Sequence, residues 1–199
     1  MKKLMMTVLA LVCMTSLARA QQTRGYRGGG GGEDELDAMI GGRVGVDNSP
    51  GGGLVGTEYA HRLSQQTWFD LQLDMSFGGT SQCWVNRAGF VDCGQWGGQS
   101  LDIIAGAKWK FQTRNERLVP FAKVGGGLAF LFWPGPDNDG IAPVVRAGGG
   151  VKYFVLPTLG LGGEMSAMLG PGFYGCGPNC SFNDLFFAFN IVGSVEFDF

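Results

Sequence analysis

The sequence is short of charge. Only 16% of its 199 residues are charged, and the basic sign has no surplus, with 15 Lys and Arg against 17 Asp and Glu. Such a balance provides no cationic face to neutralise a phosphate backbone, which excludes nucleic acid as a partner. Histidine occurs once, as His61, and no C-x-x-C pair is present, so a zinc centre lacks its ligands. Long hydrophobic runs are missing beyond the N-terminus. The longest charge-free stretch there, 165–183, is interrupted by Pro171, Pro178, two cysteines and several glycines, which excludes a conventional spanning helix. Glycine is abundant at 36 residues but has no Gly-X-Y period, which excludes collagen. Fifteen phenylalanines and five tryptophans exclude a chain too polar to pack.

The first twenty residues read as a secretory signal peptide. Lys2 and Lys3 precede an apolar run from Leu4 to Met14, and Ala18-Arg19-Ala20 places small residues at −3 and −1 of a cleavage site after Ala20. The run is too short to span a bilayer as a helix. Val12 stands before Cys13 where a lipoprotein would have a small residue. Removal of 1–20 leaves 12 basic against 17 acidic side chains. Residues 21–36 read as a tether, with five consecutive glycines (Gly28–Gly32) and the acidic run Glu33-Asp34-Glu35. The remainder, 37–199, is the folded domain.

That domain alternates with period two, the pattern of strands with one apolar face. Phe69, Leu71, Leu73, Met75 and Phe77 fall on one side, with Asp70, Gln72, Asp74 and Ser76 on the other. Ile103, Ala105, Ala107, Trp109 and Phe111 oppose Asp102, Lys108, Lys110 and Gln112 in the same way. Eight strands are expected, over 37–46, 52–63, 67–78, 100–112, 118–132, 142–155, 159–170 and 184–199. Most reach the ~9–11 residues a tilted strand needs to cross a bilayer. Brief turns follow the second, fourth and sixth strands, and longer loops (79–99, 133–141, 171–183) follow the third, fifth and seventh. This is the signature of an all-β, eight-stranded antiparallel up-and-down transmembrane β-barrel.

Two patterns separate it from a soluble secreted barrel. The polar faces carry Glu58, Asp70, Asp74, Asp102, Glu164, Glu196 and Asp198 against Arg43, Arg62, Lys108, Lys110, Lys123, Arg146 and Lys152. Seven against seven suits a lumen whose charges must pair. Aromatics also recur at strand ends on the apolar face. Tyr59, Trp109, Tyr153 and Phe199 belong to the short-turn rim, and Phe77, Phe130 and Phe132 to the long-loop rim. Because eight strands leave little free lumen, the inward charges are expected to form a paired core rather than an ion path.

The exported chain keeps four cysteines, and an even count points to disulfides, with three connectivities open. The local pairs Cys83–Cys93 and Cys176–Cys180 are the simplest, both in long loops on one rim. No catalytic, cofactor or metal set is expected. Gly51–Gly56 matches G-x-G-x-x-G by letter but opens a strand with no helix to follow. His61 falls on the apolar face with no serine in a catalytic arrangement, so the chain is read as non-enzymatic.

The last strand, with Phe189, Ile191, Val195, Phe197 and the terminal Phe199, is similar to the signal read by outer-membrane assembly machinery. Val119-Pro120-Phe121-Ala122-Lys123-Val124-Gly125-Gly126-Gly127 and Gly148-Gly149-Gly150-Val151-Lys152-Tyr153-Phe154 before Leu156-Pro157 resemble strand openings of the outer membrane protein β-barrel superfamily. That superfamily includes the OmpA-type transmembrane domain and the opacity-type adhesins. The resemblance implies a barrel in the outer membrane of a diderm bacterium, with lipid and the assembly machinery as partners. The four loop cysteines depart from it. The expected role is structural or surface-interacting, with an unidentified extracellular ligand. The alternatives are a narrow channel or transporter for ions or small hydrophobic molecules, and a soluble secreted binding barrel.

Overall fold

The computed structural model describes residues 32–46, 49–78, 83–85, 91–93, 98–133, 139–175 and 181–199. The proposed signal peptide and most of the proposed tether lie outside them. Ten strands form: β1 (Asp34–Val46), β2 (Gly52–Arg62), β3 (Thr67–Gly78), β4 (Cys83–Val85), β5 (Val91–Cys93), β6 (Gln99–Lys110), β7 (Leu118–Phe132), β8 (Gly140–Leu156), β9 (Leu159–Gly175) and β10 (Ser181–Asp198). Strands β4 and β5 make a separate two-stranded hairpin between β3 and β6. The other eight pair with their neighbours in sequence, all antiparallel, and β1 pairs with β10 to close the barrel. Among the described residues the barrel sheet has no free edge for another chain to extend.

The alternation decides which side faces in. Asp70, Gln72, Asp74 and Ser76 are buried in the lumen, whereas Phe69, Leu71, Leu73 and Phe77 are exposed on the outer wall. The same holds round the cylinder, with Ile40 70% and Val145 61% exposed while Lys108 and Glu58 are 1% and 2% exposed. An apolar band of this extent is stable only against lipid. A soluble barrel has the opposite polarity, so that alternative is set aside. Tyr59, Trp109 and Tyr153 are exposed at the short-turn rim, and Phe77 and Phe132 at the long-loop rim.

Strand limits differ from the sequence expectation at three places. Strand β1 starts at Asp34, inside the stretch read as tether, because Glu35 turns into the lumen and joins its ion pairs. Strand β9 continues to Gly175 and β10 begins at Ser181, so most of the loop expected over 171–183 is ladder. Strand β8 likewise starts two residues early, at Gly140. Two irregularities lie in the wall, both between β8 and β9: a register shift between Phe154 and Leu156, and a gap nearer the long loops. Ile141 pairs with Phe173 and Val145 with Leu169, and the three intervening positions, centred on Pro143 and Pro171, are unpaired. Neither proline has an N–H to donate, so the ladder is interrupted there. An apolar groove lined by Pro143, Val145, Leu169, Pro171 and Leu185 opens on the lipid side at this point.

Inward glycines make room for the lumen's large side chains. Gly150 lies between Phe121 and Glu164 in the ladder, and a Cβ there would come within 2.9 Å of the Phe121 ring.

Candidate functional site in the barrel lumen

The lumen is packed in layers. At the short-turn end, Lys110 Nζ donates to Glu35 and, over 3.0 Å, to Glu196 Oε1. Its ammonium also lies 4.7 Å from the centroid of the Trp68 ring. Lys152 pairs with Asp37 and Glu196 (3.1 Å) and donates to Ser194 Oγ over 2.8 Å. One step further in, Lys108 Nζ is shared among Glu58 Oε1 (2.7 Å), Glu35 Oε2 (3.3 Å) and Asp37 Oδ2 (3.5 Å). Lys123 bridges Glu58 (2.6 Å), Glu164 and the Gln72 carbonyl (3.0 Å). Arg146 pairs with Glu164 and faces Asp74 at 3.6 Å, and Gln72 Nε2 donates to both Asp74 oxygens. Towards the long loops, Arg43 pairs with Asp102 and donates to Asn190 (2.8 Å) and Ser100 (2.5 Å).

Beside the Arg43–Asp102 layer, on the side of β7 to β10, the filling is apolar. Ile104, Ala129, Leu131, Ala142, Val144, Met168, Tyr174 and Phe186 form a buried cluster at the long-loop half of the lumen. Trp68, Phe121 and Phe154 add buried rings near the lysines. Charge removed from water costs several kcal/mol per ion unless paired and hydrogen-bonded. The shared geometry supplies both conditions, because each lysine serves two or three acceptors.

Of the residues singled out from sequence, Arg43, Glu58, Asp74, Asp102, Lys108, Lys123, Arg146, Lys152 and Glu164 come together in this lattice. Asp70 is buried in the lumen, and its Oδ1 has no hydrogen-bond partner among the described residues. Arg62 lies at the short-turn mouth, where it donates to the Ser64 carbonyl and sits 5.8 Å from the Trp68 ring centroid. Glu35 and Asp37 were missed. Glu35 falls in the stretch read as tether and Asp37 at the first position of the first expected strand, and only the β1–β10 register turns both inward. The seven-to-seven balance is corrected with them. Among the described residues, the buried lumen set has acids Glu35, Asp37, Glu58, Asp70, Asp74, Asp102, Glu164, Glu196 and Asp198. Its cations are Arg43, Lys108, Lys110, Lys123, Arg146 and Lys152.

His61 is on the outside, its Nδ1 2.9 Å from Asp34 Oδ1, an oxygen that also accepts from the Tyr59 hydroxyl. Cys83 and Cys93 are opposite each other in the β4–β5 register. Cys176 and Cys180 lie outside the described residues. On the last strand, Phe197 is exposed on the lipid face and Phe199 is half-buried.

No family model and no curated protein matches the sequence. Solved structures match the architecture. Neisserial surface protein A superposes with a TM-score of 0.54 at 15% identity, over 83% of this chain and 96% of that one. The chain has the fold of a small outer-membrane β-barrel. The outer membrane protein AlkL, determined in lipid bilayers, gives 0.53 at 13% identity over 90% and 96% of the two chains. At such identities the likeness is one of architecture. Together with the inverted polarity of its surface, that architecture makes this a membrane-spanning barrel in contact with lipid.

Proposed function

We propose that this outer-membrane barrel is a non-enzymatic structural or surface-interaction protein, exported after removal of residues 1–20, whose long-loop rim meets an extracellular partner. The filled lumen carries the reading. Interlocked ion pairs fill the short-turn half, and the Arg43–Asp102 pair together with apolar side chains fills the other half, which leaves the loops as the parts free to engage a partner. In this reading disulfides Cys83–Cys93 and Cys176–Cys180 brace those loops. The opposed positions of Cys83 and Cys93 across a two-stranded hairpin support the first pair. Phe197 and Phe199 on the closing strand serve as the contact for the assembly machinery.

Planar-bilayer recording of the refolded barrel tests the sealed lumen. The expected trace lacks a steady open state. A stable ohmic pore would sink the reading and favour the channel alternative.

A further inference from the structure

Glu35 of β1 and Glu196 and Asp198 of β10 meet at the short-turn mouth of the lumen, with one carboxylate oxygen of each within 4.8 Å of the other two. The β1–β10 register brings them there. Glu35 is opposite Asp198, and Glu196 lies two residues along the same inward face. The cations nearby are already divided. Lys110 serves Glu35 and Glu196, the Lys152 contact to Glu196 is shared with Asp37, and the Lys108 contact to Glu35 is shared with Asp37 and Glu58. Asp198 is 2% exposed, and among the described residues no amine, amide or hydroxyl donor hydrogen-bonds either of its carboxylate oxygens, which face the Glu196 carboxylate. A carboxylate buried in this state, beside two more, calls for positive charge.

We propose that Glu35, Glu196 and Asp198 bind a hard divalent cation of the calcium class. Three carboxylates with Lys110 carry a formal charge of −2, which one divalent ion neutralises. An all-oxygen donor set suits calcium, whose coordination tolerates irregular geometry. The site adjoins the short-turn rim, where Asp198 N–H donates to the Thr158 carbonyl in the turn between β8 and β9. The ion joins the first strand to the last, so it acts as a clasp on the seam that closes the barrel.

Trp68 supplies the assay, because Lys110 Nζ is 4.7 Å from its ring and bonds two of the three carboxylates. The full barrel in lipid vesicles is titrated with terbium(III) under tryptophan excitation, with calcium titration calorimetry in parallel. The expected result is saturable luminescence at one ion per chain, displaced by calcium and weakened about tenfold or more in Asp198→Asn and in Glu35→Gln. Glu116→Gln, an exposed carboxylate of the turn between β6 and β7, keeps wild-type binding. Absence of binding to the wild-type barrel overturns the proposal, and leaves shared protons as what neutralises the cluster. Wild-type affinity in both Asp198→Asn and Glu35→Gln overturns it equally, because the ion is then an adventitious ion only.

Discussion

At the scale of the residue, the barrel depends on lysines that each serve several acids. Lys108 is the clearest, 1% exposed and in contact with Glu35, Asp37 and Glu58. Its substitution by methionine keeps most of the volume and leaves three carboxylates without their common cation. Removing one partner of a buried pair costs about 3–5 kcal/mol. Lys108→Met is therefore expected to lower unfolding stability by about that amount, measured by denaturant titration of the barrel in vesicles. A loss below about 1 kcal/mol would mean that water, rather than protein, solvates the lumen. Most of the lattice was legible in the sequence from the polar side of each strand. Glu35 was not, since Glu33-Asp34-Glu35 after a run of glycine has the composition of a linker. Arg62 erred the other way: its parity points inward, but it stands at a strand end, over Trp68 at the mouth.

At the scale of the element, strand β3 shows how far local pattern reaches. Its bounds, Thr67–Gly78, and the division of its side chains between lumen and lipid agree with the alternation read from sequence. Leu73 is on the lipid face in the middle part of that strand, 44% exposed. Placing an arginine at the bilayer midplane of such a wall costs about 2–4 kcal/mol. Leu73→Arg should show that loss in vesicles, and Phe77→Arg, at the rim, a loss nearer 0–1 kcal/mol. Equal costs at both positions would contradict the placement of the lipid band. The ends of β9 and β10 were harder to read. Pro171, Gly172 and Gly175 carry loop composition, yet the ladder continues through them because each stands opposite a residue of β10. Turn composition is a local signal, and a partner strand overrides it.

At the scale of the whole molecule, closure removes the edges of the barrel sheet, and the charged core locks the wall from inside. The closed barrel should keep its compact form in unheated dodecyl sulfate and migrate faster on a gel than after boiling. Identical mobility in both lanes would contradict a closed, ion-paired cylinder.

What the sequence determined by itself is the number of wall strands, the side of each that meets lipid, and hence membrane residence, because period-two alternation is encoded within each segment. The tertiary structure alone decided which charges meet and where their balance fails. Lys110 and Glu35 are 75 residues apart, and Arg43 and Asn190 are 147 apart. Contacts of that separation follow from strand register around a closed cylinder, which no single segment carries.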